Sequence, residues 1–199
     1  MYPIYNSDVA MHLIDFFAQY PKFSYDPSNG VMQEFWRLCN NNGWKKNDRM
    51  REDARDALRD AIAQQFNAIY GTDLDSIDSW HTLCNVVGID PTPDTPEKCR
   101  TVCKPTVHPT KVQADEKSVQ AVEKIYVNIV DLVDAPNTGE PVHVFATELQ
   151  LSAYTKATGK YYPEENAKAG GLLRFPLRHI ISPRTEPKRR MTSRKRRRR

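Results

Sequence analysis

The chain has 199 residues, 39% hydrophobic and 27% charged, with a mean hydropathy of −0.67; this is enough for one core or two small ones and wrong for a fibre, a disulfide mini-protein or a membrane channel. Its formal charge of +4 conceals a division, because residues 183–199 hold ten Lys/Arg against Glu186 alone, a net +9, which leaves residues 1–182 with 19 bases against 24 acids, a net −5. A mildly acidic body precedes a strongly basic end.

Asn6 or Ser7 can cap a first helix, in which Val9, Leu13, Phe16, Phe17 and Tyr20 recur at helical period until Pro21 closes it. Phe23 to Gly30 combines Asp-Pro and Asn-Gly turn chemistry with two aromatics and reads as an ordered connection. A second helix is predicted from about Val31 to Asn41, stopped by Asn40-Asn41-Asn42-Gly43. A long third helix follows, capped by Asn47 or Asp48 and reaching Tyr70. Met50, Ala54, Leu58, Ala61, Ile62, Phe66 and Ile69 form its apolar stripe, with its Arg and Asp residues facing outward. Asp75 or Ser76 opens a fourth helix, with Ile77, Trp80, Leu83, Cys84 and Val87 inward, and Thr95-Pro96-Glu97 starts a fifth that runs through Cys103.

Residues 104–114 are prolyl and polar and are predicted to be a hinge between an N-terminal helical half, 1–103, and a C-terminal helical half, 115–182, packed on the first. A sixth helix is expected from about Asp115 to Asp134, although the β-branched run from Tyr126 to Val133 also suits a strand. Pro136-Asn137-Thr138-Gly139 reads as a turn and 142–145 as a short strand or extended segment. Thr147 caps a helix that continues to about Ala157, and Pro163 opens a last helix carrying Leu172, Leu173, Leu177 and Ile180, weakened by Gly170, Gly171 and Pro176. The expected fold class is therefore mainly α, a compact multi-helix domain.

Met1 to Asp8 carries no positive charge, and the apolar stretch after it is interrupted by His12 and Asp15, so the start does not read as a signal peptide. No window approaches the ~18 apolar residues that span a bilayer. The expected compartment is the nucleus, with the cytoplasm as alternative and no membrane partner. Cys39, Cys84, Cys99 and Cys103 are then free thiols or metal ligands rather than a disulfide frame.

The spacing of His81, Cys84, Cys99 and Cys103, with His108 beyond, permits a tetrahedral zinc site. Helix periodicity places Cys84 and Cys99 in an apolar interface instead, so no metal and no cofactor is assigned, and a zinc-stapled module or small enzyme around those four residues is the alternative. No nucleophile elbow frames any Cys/His pair, Gly170-Gly171 is not a phosphate loop, and Asp73, Asp75 and Asp78 lack the twelfth-position Glu of a calcium loop. No catalytic residue is assigned. The chemistry that stands out is Lys188, Arg189, Arg190, Arg194, Lys195, Arg196, Arg197, Arg198 and Arg199: nine basic residues among the thirteen from Pro187, expected to be disordered alone and to be read by a nuclear import receptor or a phosphate backbone. Among the aromatics, Trp36 and the Tyr161-Tyr162 pair are the ones whose exposure would bear on binding.

The strings Phe23-x-Tyr25-Asp26-Pro27, Glu34-Phe35-x-Arg37-Leu38-Cys39, Gln65-Phe66-Asn67-x-Ile69-Tyr70-Gly71-Thr72-Asp73, Trp80-x-x-Leu83-Cys84 and Val127-Asn128-Ile129-Val130-Asp131-Leu132-Val133 resemble a widespread family of uncharacterised fungal proteins, over about residues 10–181. The resemblance implies no activity and no binding residues. The chain departs from it at Phe175-Pro176, where a continuous helix is expected. The basic end and the lack of a catalytic signature lead to a non-enzymatic nuclear binding or regulatory module that contacts protein or nucleic acid.

Overall fold

The computed structural model describes residues 11–90, 92, 94–103, 126–162, 171–174 and 176, with the backbone alone at 100–103 and 174. The fold is mainly helical: α1 Met11–Ala18, α2 Val31–Asn41, α3 Arg49–Tyr70, α4 Ile77–Val86, α5 Pro96–Cys103, α6 Ile129–Thr138, α7 Glu148–Thr158 and a 3₁₀ turn at Gly171–Arg174. Helix α3 is the spine, touching α1, α4, α6 and the 3₁₀ turn, while α2 packs on α6 and α5 on α4. None of the described helices is long and apolar enough to cross a membrane.

Spacing explains the first four helices. Val31, Phe35, Leu38 and Cys39 fall on one side of α2, and Ala54, Leu58, Ala61, Ile62, Phe66 and Tyr70 on one side of α3; all are buried. One apolar cluster joins them to Leu13, Phe16 and Phe17 of α1, Trp80, Leu83 and Cys84 of α4, Cys99 of α5, Ile129, Val130, Leu132 and Val133 of α6, and Leu172 and Leu173. Residues from both sides of 104–114 thus share a core; that segment lies outside the described residues. Caps fix several helix starts: Ser76 Oγ accepts from the Ser79 amide, Thr95 Oγ1 from Lys98 and Thr147 Oγ1 from Gln150. Asp48 holds the cap position of α3, but its carboxylate accepts from the Lys45 amide rather than from the helix.

Four expectations need correction. Met50 is 62% exposed, because it lies in the first turn of α3 and burial begins one turn later at Ala54. The sixth helix does not extend back through Tyr126: the Phe145 amide donates to the Tyr126 carbonyl, and Asn128, extended at φ −87° and ψ 129°, starts the helix by accepting from the Val130 amide. Residues 115–125 lie outside the described residues. The pairing with Tyr126 is a single bridge, so 142–145 forms an extended segment rather than a strand.

Pro136-Asn137-Thr138 does not make a turn either; α6 carries Pro136 inside it and ends at Gly139, left-handed at φ 71°. Proline removes the amide that would serve the carbonyl four residues back, which is that of Leu132. The Tyr70 hydroxyl of α3 donates to that carbonyl at 2.8 Å, so a tertiary donor replaces the missing one. Burial pushes the Tyr70 phenol well above its ordinary pKa and keeps its proton in place. Finally, residues 171–174 form a 3₁₀ turn instead of part of an α-helix; Pro163 and Leu177 to Ile180 lie outside the described residues.

Candidate functional site

Arg51, Arg55 and Arg59 stand four apart on α3 and so share one side of the helix, each half-buried. Trp36 of α2 rises beside them, with its ring centroid 4.9 Å from the Arg51 guanidinium carbon and 5.8 Å from that of Arg55. These are cation–π distances. The turn after α7 also reaches Trp36, since a Cβ on Gly159 would lie 3.9 Å from its Cζ2. Tyr161 is half-buried and acts electrostatically on Arg55, whereas Tyr162 is buried. Of the aromatics singled out by sequence, Trp36 and Tyr161 are therefore both partly exposed and both act on Arg55.

The charge on this ridge is unevenly compensated. Arg59 Nη1 lies 2.6 Å from Asp56 Oδ1, but Arg51 and Arg55 make no ion pair among the described residues. Burial, followed by the like charges of Arg59 and Arg51, pulls the Arg55 guanidinium below its ordinary pKa. The expected outward-facing Arg and Asp residues of α3 are thus not uniformly solvated: Arg51, Arg55 and Arg59 are half-buried, and their i, i+4, i+8 spacing is the sequence signal for the ridge.

A second polar constellation lies where α2, α6 and α7 meet. Gly30 occupies the N-cap of α2 without a side chain to serve the helix, and the Asp134 carboxylate of α6 does so instead, accepting from the Val31 amide at 2.9 Å. Its other oxygen is buried without a partner. Burial raises the Asp134 carboxyl to about 6, against the opposing effects of the Val31 bond and Lys160. One turn earlier Asp131 pairs with Lys160 and accepts from the Tyr154 hydroxyl, while the Asn128 amide donates to Thr155 Oγ1 and the Lys160 carbonyl. At the other side of α2, buried Glu34 accepts from Arg37, Asn29 and the Asp26 amide. Burial works to raise the Glu34 pKa, but the Arg37 and Asp26 bonds outweigh it and hold it below its ordinary value. These groups are structural tethers.

Of the four residues of the zinc alternative, the side chains of His81, Cys84 and Cys99 are described. Cys84 and Cys99 are fully buried across the α4–α5 contact; burial, then Cys84, raises the Cys99 thiol to about 11. His81 is half-buried on α4, the side chain of Cys103 and all of His108 lie outside the described residues, and no cluster of three His, Cys, Asp or Glu occurs among the described ones. Lys188 to Arg190 and Arg194 to Arg199 also lie outside them. Comparison with protein-family models, curated proteins and solved structures gives no match to this chain.

Proposed function

We propose that this chain is a nuclear module of the fungal family it resembles, that it works by binding nucleic acid rather than by catalysis, and that its basic end is both the import signal and an anion-binding arm. The observation that carries the reading is the charge division: nine basic residues in the last thirteen, attached to a body of net −5. Such a segment cannot bury apolar area, and its dense positive charge suits an import receptor's acidic groove or a phosphate backbone, where each neutralised phosphate releases counterions. The arginine ridge on α3 supports the same reading from within the folded body.

Deleting residues 187–199 from a fluorescent fusion should disperse it from nucleus to whole cell, and should weaken nucleic-acid binding by the purified chain most strongly at low salt. A deletion variant that stays as nuclear as the full chain and binds nucleic acid equally well would overturn the reading.

A further inference from the structure

We infer that Trp36, Arg51 and Arg55 form a second anion site, distinct from the basic end, which takes the phosphodiester backbone of nucleic acid without reading its bases. The inference rests on the reading that the chain binds nucleic acid and assigns part of that binding to the folded body.

Four observations converge. Residues four apart on a helix advance ~6 Å along its axis, so Arg51, Arg55 and Arg59 present a row of cations at a spacing comparable to successive phosphates on one strand. Arg51 and Arg55 make no close ion pair among the described residues, Asp56 acting on Arg55 only at longer range, in a body that is otherwise net negative. A guanidinium laid over an aromatic face keeps its in-plane N–H donors free at the edge, the geometry that grips a phosphate bidentately. Trp36, with Arg51 and Arg55 over its ring and Gly159 against its Cζ2 edge, is thus a platform that orients arginines rather than a surface for stacking a base. Like charges crowded on a half-buried face are held at a cost, which a bound phosphate would relieve.

The test titrates full-length chains against a labelled short DNA duplex over a series of salt concentrations. Changing Arg51→Gln together with Arg55→Gln should flatten the plot of log affinity against log salt by roughly 0.9 for each phosphate no longer neutralised, alike on duplexes of unrelated sequence. Arg51→Lys with Arg55→Lys keeps the charge but not the fork, and should hold the slope while lowering affinity. Arg49→Gln, on a side chain that is 92% exposed and off the ridge, is the control and should leave the slope unchanged. Thermal melts of each variant establish that it folds.

An unchanged slope in the double Gln variant, or an equal loss in the control, would overturn the ridge. A chain with Lys188–Arg190 and Arg194–Arg199 all replaced by Gln separates the two proposals. If that chain loses all duplex binding, the basic end stands alone and the ridge falls; residual binding that the double Gln change abolishes supports the ridge. Ridge-dependent capture by anionic phospholipid vesicles, with duplex binding untouched, would also overturn it, in favour of a membrane surface.

Discussion

Helix α3 runs 22 residues and finds its place through an apolar stripe repeated over several turns, whereas α6 has ten residues and finds its place through polar tethers to three other parts of the fold. The stripe of α3 is local in sequence and redundant, since no single residue decides its register. Each polar tether of α6 is singular: Asn128 to Thr155 and Lys160, Asp131 to Lys160 and Tyr154, the Leu132 carbonyl to Tyr70, Asp134 to Val31. Apolar burial supplies most of the energy in both, but buried polar groups tolerate few arrangements, so they specify where a short helix sits.

The largest effects should come from the stripe. Leu58→Ala or Phe66→Ala removes a fully buried side chain from the spine and should cost about 2–5 kcal/mol in denaturant unfolding. A midpoint matching the parent's would show that redundancy in α3 extends even to its centre and would break the comparison.

Next comes Asp134. Asp134→Ala leaves the buried Val31 amide without its acceptor and should cost about 1–3 kcal/mol. Asp134→Asn keeps an acceptor and removes the charge, which isolates the titration. The folded-state pKa is raised from 3.8 to about 6, so the stabilisation from this group is fully present below about pH 4 and is lost as pH rises through about 6. Asp131 and Lys160 are the charged neighbours that act on it. Melting temperatures of the Asn variant should accordingly gain on those of the parent between about pH 4 and 6 and then run parallel. A constant difference across that window would mean that Asp134 titrates as it does in the unfolded chain.

The smallest and most diagnostic effect concerns Tyr70. Tyr70→Phe strands the Leu132 carbonyl and should cost about 1 kcal/mol. In that background Pro136→Ala restores an amide donor four residues on and should recover part of the loss, a coupling readable only as a double-mutant cycle. Additive effects of the two changes would show that tyrosine and proline act independently.

This contrast also accounts for what could be read in advance. The limits of α2, the spine of α3, the inward set of α4 and the Thr147 cap follow from spacing and capping chemistry, which act within a few residues. Asn128 defeated that approach because Tyr126 to Val133 is continuously apolar enough to sustain a helical reading, and only the bridge to Phe145 and the Asn cap decide against it. Pro136 looked like a stop because its rescuer is 66 positions away in sequence, at Tyr70. The arginine ridge lay half in view: its spacing is local, but the tryptophan that gathers it belongs to another helix.

Gly171 bears on how the 3₁₀ turn meets the end of α3. At φ 55° it lies so close to the end of α3 that a Cβ there would come 2.5 Å from the Thr72 carbonyl oxygen, a backbone approach that any side chain would force apart. Leu172 and Leu173 are fully buried beside it, so the 3₁₀ turn can seat two leucines in the core only where position 171 carries no side chain.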